Sequence, residues 1–242
     1  MKRNSDVFGL GLKAYLEKGR TFGFIERNDG YMDVNFNTVY FSGYKNWRKP
    51  EKKAMKYVTG RVADIGCGAG RHALYLQSKG FDVTGYDSSA LAIKICRKLG
   101  LKKAVNSELS KLLMQRMNFN TVLFLGNNFG LMRSFSYARK SLKRLYKITP
   151  KECLIIAESM DPHTTNNRMH LDYHRANLVK KKLAGQVRIR VRFGNKIGPW
   201  FDYLFVSIKE LRDIICNTGW RIKKILADKS PTYIIVLEKI PV

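Results

Sequence analysis

Three glycines at alternate positions, Gly66, Gly68 and Gly70, follow the apolar run Arg61 to Ile65 and lead into a helical pattern that begins at Arg71. A turn without side chains lets the backbone approach a ligand closely, and the helix N-terminus behind it points free N–H groups at whatever is bound. The strand-like run Asp82 to Tyr86 then ends at Asp87, about twenty residues past the first glycine, where a nucleotide-binding fold sets a carboxylate on ribose hydroxyls. The chemistry of this unit is the holding of an adenosine-bearing cofactor. Dinucleotide sites favour G-x-G-x-x-G or Ala, whereas here the spacing is G-x-G-x-G and the next residue is the bulky Arg71.

Asp64 lies two residues before Gly66, and with it the segment resembles motif I of the class I S-adenosylmethionine-dependent methyltransferases. Tyr86-Asp87-Ser88 resembles their acidic motif at the end of strand two. The resemblance implies S-adenosyl-L-methionine as cofactor. It implies that Gly66, Gly68 and Gly70, with Cys67 between them, line its methionine part. Asp64 would hold the ammonium end directly or through water, and Asp87, followed by Ser88, would bind the ribose.

Ligands of open α/β sheets sit outside the carboxyl ends of the strands, which adds Asn106, Gly126 to Asn128 and Ser159 to Asp161 to the positions of interest. Asn106 and Asn127 join the cofactor candidates. Amino-methylating members of the family carry Asp or Asn, two prolines and an aromatic after strand four; Asn128-Phe129 matches loosely, without the prolines. A polar turn over the next helix is the other reading. Methyl transfer draws mainly on alignment, but a hydroxyl or ammonium acceptor must lose a proton. His163, His170, His174, Asp161 and Asp172 cluster in sequence as base candidates. The candidate catalytic residues are Asn128, His174 and Tyr40. No metal is assigned, because no metal-binding signature accompanies the histidines.

The elements that must position these residues alternate. Helices are expected near Ala90 to Leu99, Glu108 to Met117 and Ser136 to Lys147, and strands at Lys103 to Val105, Thr121 to Leu125 and Glu152 to Ala157. A capped helix, Ser207 to Thr218, precedes a hairpin of Arg221 to Ala227 and Thr232 to Leu237. Dehydrogenases of the Rossmann type do not end so. The expected fold is α/β, a Rossmann-like doubly wound sheet of seven strands; the resemblance implies the order 3-2-1-4-5-7-6 with the last strand antiparallel. Residues 1–242 are read as one methyltransferase domain, with 1–50 as an N-terminal cap segment and 161–204 as an insert after strand five. Both extra segments are aromatic-rich, including Tyr40, Phe41, Trp47, Trp200 and Tyr203, and are read as walls and lid of the substrate cleft. Arg188, Arg190 and Arg192 alternate with Val187, Ile189, Val191 and Phe193, so a strand there carries a cationic stripe, either for anions or as a solvated edge.

Forty-five Lys plus Arg against nineteen Asp plus Glu give a net charge of +26, which favours anionic partners or solubilises the surface. The four cysteines are far apart, the first residues are polar, and no run approaches eighteen apolar residues, so a reduced, cytoplasmic protein without a membrane span is expected. The leading function is methyl transfer to a small molecule. An RNA or protein methyltransferase using the basic surface is the alternative, and a non-catalytic cofactor-binding protein a third. Oligomeric state is not legible.

Overall fold

The computed structural model describes residues 6–240; the first five residues of the expected N-terminal cap lie outside the described residues. The chain begins with α1 (Val7–Lys18), β1 (Phe22–Arg27), β2 (Met32–Phe36) and α2 (Lys49–Ala54). It then alternates through β3 (Val62–Ile65), α3 (Arg71–Ser78), β4 (Val83–Asp87), α4 (Ala90–Lys98), β5 (Lys103–Asn106), α5 (Leu109–Leu112), β6 (Thr121–Phe124), α6 (Phe135–Ile148) and β7 (Leu154–Met160). The insert holds α7 (Arg168–Val179), β8 (Gln186–Phe193), β9 (Lys196–Ile197) and β10 (Phe201–Leu204), and α8 (Ile208–Ile215), β11 (Trp220–Ala227) and β12 (Thr232–Lys239) close the fold.

All four residues of β3 and of β6 are buried, as expected of central strands covered on both faces. The seven-stranded sheet runs β11-β12-β7-β6-β3-β4-β5, which, counted along its own strands, is the expected 3-2-1-4-5-7-6 read from the far edge. β12 is antiparallel to both neighbours, and the other adjacent pairs are parallel. One face packs Phe124, Leu142, Leu145 and Trp220, and the other Leu76, Ile93, Leu123, Ile156 and Val236. The parallel strands therefore send their carboxyl ends to one edge, the Rossmann-like arrangement of a ligand site.

Two expected boundaries shift. The helix predicted over Glu108 to Met117 shortens to a single turn, because Met117 is drawn into the core and its N–H donates to the Ile148 carbonyl (2.9 Å) at the end of α6. The strand predicted to stop at Ala157 continues to Met160 through pairing with β12, so Glu158 and Ser159 lie inside it.

The N-terminal segment and the insert, far apart in sequence, fold together into a second sheet, β10-β8-β1-β2, with β9 on the outer side of β8. Phe24 pairs with Arg192 and Ile25 with Val191, so β8 alternates as predicted, with its arginines on one face. Two of those arginines are not free. Arg190 and Arg192 both donate to Glu26 across the strand pair, and their hydrogen bonds hold its carboxyl down at about 2. Two arginines of α6 are engaged as well: Arg139 donates to the Asp213 carbonyl (2.7 Å) and Arg144 to that of Leu113 (2.7 Å).

Helix α1 lies on α4, where a Cβ at Gly9 would stand 2.4 Å from Leu91 Cβ. Asp6 fixes the contact. Its Oδ1 accepts from Gly9 N (2.9 Å), capping α1, while Oδ2 accepts from Ser89 Oγ (2.8 Å) and Leu91 N (2.9 Å) at the start of α4. Asp6→Ala removes both caps and is expected to lower stability by about 1–2 kcal/mol, measured by urea denaturation; an unchanged midpoint would show that α1 is held by packing alone.

Candidate active site

The glycine turn is built as its composition requires. Gly66, Gly68 and Gly70 have φ of 73°, 56° and 83°, which side-chain-bearing residues rarely adopt. Gly66 and Cys67 donate their N–H groups to the Tyr86 carbonyl (2.8 and 3.0 Å). Asp87 completes the attachment: Oδ2 accepts from Gly68 N (2.9 Å) and Oδ1 from Ser89 N (2.8 Å). The predicted ribose ligand is thus also the clasp of the loop. Asn106 donates to the carbonyls of Asp87 and Ser88 (2.9 Å each), so its amide braces the turn that carries them. Cys67 turns its thiol inward, with Sγ 3.9 Å from that of Cys96, which leaves only its backbone on the loop surface.

Two carboxylates at this edge are buried without a cation bonded to them. Asp64 is 1% exposed; burial pushes it up to about 7 against the Arg71 charge and the Ala73 amide, and its Oδ2 has no hydrogen-bond partner among the described residues. Burial likewise raises Asp87 to about 6 against the amides of Ser89 and Gly68. A buried acceptor without a donor costs about 1–3 kcal/mol, so the pair favours a ligand that brings positive charge and donors. The ammonium and ribose hydroxyls of S-adenosylmethionine meet that demand, and the side-chain-free turn gives its backbone approach. The residues present fit the cofactor.

Tyr40 stands over the turn. Its ring would lie 3.3 Å from a Cβ at Gly68, packs edge-on against Phe8 at 5.2 Å, and its hydroxyl donates to Asn35 Oδ1 (3.3 Å). Burial raises its pKa, so the phenol stays protonated and acts as a donor. Asn128 faces the turn from the other side, with Nδ2 donating to the carbonyls of Gly66 (2.8 Å) and Ile65 (3.2 Å). Its amide nitrogen is therefore committed to the cofactor loop. Asn127 has φ 63° and a buried Oδ1 without a partner among the described residues.

The histidines do not join this group through hydrogen bonds among the described residues. His170 Nδ1 meets Arg27 Nη1 (2.9 Å), His163 Nε2 meets Glu210 Oε1 (3.3 Å), and Asp172 pairs with Arg175. His174 lies on α7 with its ring centroid 6.2 Å from that of His163, and burial lowers its pKa.

Three contributors escape sequence reasoning. Glu158 is 5% exposed, accepts from Gly126 N (2.6 Å), and is raised by burial and by the Glu51 charge. A carboxylate at the end of an otherwise apolar strand was its signal. Glu51 of α2 accepts from Arg71 and from His72 Nε2 (3.2 Å); burial would raise it, but these partners hold it at about 2, while burial lowers His72 to about 4. Tyr203 of β10 donates to the Asn127 carbonyl (2.8 Å). For Glu51 no local pattern exists, and for Tyr203 the aromatic cluster of the insert marks the residue but not its partner, which is distant in sequence.

The raised carboxylates fix a pH dependence. A ligand that takes the ionised forms must first displace protons below the free-state pKa values, so affinity for S-adenosylhomocysteine is expected to rise between pH 5.5 and 7.5 and then level off. Calorimetric titration at several pH values measures it; affinity that is flat or falls over that range would contradict the assignment.

The family model described as tellurite resistance protein TehB matches residues 37–166, which include the glycine turn, Asp87 and the Asn127–Asn128 turn. A Geobacillus sp. (strain WCH70) protein named as a methyltransferase is 25% identical over 136 residues, 53% of this chain and 54% of that protein. The TehB of Haemophilus influenzae, named as an S-adenosyl-L-methionine-dependent methyltransferase, is 31% identical over 87 residues, 36% of this chain and 28% of that one. The chain thus matches about half the length of the first relative and less of the second. Among solved structures, a SAM-dependent methyltransferase from Bacteroides fragilis in complex with S-adenosyl-L-homocysteine has a TM-score of 0.83 at 19% identity, covering 100% of this chain and 98% of that one. The CcbJ methyltransferase of Streptomyces caelestis has a TM-score of 0.58 at 15% identity, covering 82% of this chain and 95% of that one. Turn, acidic clasp, strand order and family match agree: the chain belongs to the TehB family of class I S-adenosylmethionine-dependent methyltransferases.

Proposed function

We propose that this chain transfers a methyl group from S-adenosylmethionine to a small-molecule acceptor, bound between the carboxyl edge of the seven-stranded sheet and the second sheet. The observation that carries the reading is the unpartnered Oδ2 of buried Asp64 behind the glycine turn. When bound, the cofactor supplies a methyl group already activated on a sulfonium. The backbone of Gly66 to Gly70 lines the cofactor, Asp64 accepts from the ammonium, and Asp87, at the Ser88 turn, accepts from the ribose hydroxyls. Asn128 holds the carbonyl of Gly66 in place, and Asn106 and Asn127 shape the rims. Tyr40 closes the turn from above and excludes water, its hydroxyl being held by Asn35. His174, kept neutral by burial, is the proposed base for an acceptor that must lose a proton.

A small acceptor is supported by the second sheet and α1 beside the edge, and by Arg190 and Arg192 of β8 and Arg139 and Arg144 of α6, which are spent on Glu26 and on carbonyls instead of standing free. The name of the matching family makes tellurite the first acceptor to assay, and the net charge of +26 favours an anion by long-range attraction. No described helix is long and apolar enough to cross a membrane.

Incubation with methyl-labelled cofactor, tellurite and fractionated cell extract is expected to place label in a small-molecule product. Label confined to RNA or protein would replace the acceptor class, and none anywhere would favour the non-catalytic reading. Asp87→Ala loses both its ribose contact and the clasp on Gly68, so S-adenosylhomocysteine affinity is expected to fall about 10- to 100-fold; calorimetry that finds it unchanged removes Asp87 from the site.

A further inference from the structure

We infer that Tyr203, carried by the second sheet, is a positioning residue that sets the cradle for the amino-acid part of the cofactor. The inference rests on the cofactor reading above. Tyr203 Oη donates to the Asn127 carbonyl at 2.8 Å and lies 3.4 Å from Asn128 Oδ1. Asn128 in turn donates from Nδ2 to the Gly66 carbonyl at 2.8 Å, so one continuous path runs from β10 to the first glycine of the turn.

The path has little slack. A Cβ at Gly130 would fall 2.0 Å from the Tyr203 ring, so the ring fills the space that this glycine leaves. Asn127 is held at φ 63° beside Gly126 at 73°, a backbone that needs fixing from outside. Its carbonyl has two donors, Gly130 N at 2.9 Å and the Tyr203 hydroxyl, and only the second comes from another element. Burial raises the pKa of Tyr203, so the hydroxyl keeps the proton it donates. The Asn127–Asn128 turn, and through it the Gly66 carbonyl, is thereby set by a residue of the sheet that walls the acceptor side. Asp87 and Ser89 at the other end of the site are held by their own bonds and are independent of this path.

The test is binding, without an acceptor. Tyr203→Phe keeps the ring and removes only the hydroxyl. It is expected to weaken S-adenosylhomocysteine about 3- to 10-fold while methylthioadenosine, which lacks the amino-acid part, stays within about twofold. Asn128→Ala should weaken S-adenosylhomocysteine in the same way, and the double variant should lose no more than Asn128→Ala alone, because both act through one path. Unchanged S-adenosylhomocysteine affinity in Tyr203→Phe, equal losses for both ligands, or additive losses in the double variant would overturn the inference. Failure of the unsubstituted protein to bind either ligand would instead overturn the cofactor reading, and the inference with it.

Discussion

A loop of alternating glycines has almost no side chains with which to hold itself, and the site depends on how Gly66 to Gly70 is held from outside. Asp87 takes the N–H of Gly68, the Tyr86 carbonyl takes those of Gly66 and Cys67, and Asn128 takes the carbonyl of Gly66. Each partner stands at the carboxyl end of β4 or in the turn after β6, the two strands that flank β3. Strand order thus becomes ligand geometry: had β3 other neighbours, the turn would have no clasp.

The electrostatics of the edge run against those of the whole chain. A protein of net charge +26 places three carboxylates raised by burial, Asp64, Asp87 and Glu158, along one edge. Arg71 and Arg48 are near, but Arg71 is bound to Glu51 and Ser42, and Arg48 divides itself between Glu158 at 3.6 Å and Asp228 at 2.9 Å. The edge therefore keeps unmet demand for positive charge and donors, which suits a cationic cofactor, while the chain as a whole keeps a positive long-range field.

The second sheet shows how two stretches far apart in sequence become one structural element. Strand β1 is an edge without its neighbours, and β8 carries three arginines. Pairing buries Ile189 and Val187 and gives Arg190 and Arg192 a shared acceptor in Glu26, with Arg190 also 4.3 Å above the Trp200 ring. An isolated two-stranded hairpin is marginal in water, so β1 and β2 gain from the strands that the insert adds.

Glycine spacing and the alternating apolar runs determined, by themselves, the glycine turn, the alternation of strands and helices and the terminal hairpin, because each is a local backbone demand written in neighbouring residues, while the strand order followed from the family resemblance. Helix α5 is shorter than its pattern because helical periodicity cannot report that Met117 is pulled beneath α6, and β7 is longer than its apolar run because pairing with β12 carries it through Glu158 to Met160. Only the tertiary structure decided that residues 22–36 and 186–204 share one sheet, that Glu51 meets Arg71 and His72, and that Tyr203 reaches Asn127. Those contacts join residues tens of positions apart, and a hydrogen bond between them depends on packing of whole elements, for which no short stretch of sequence carries a signal.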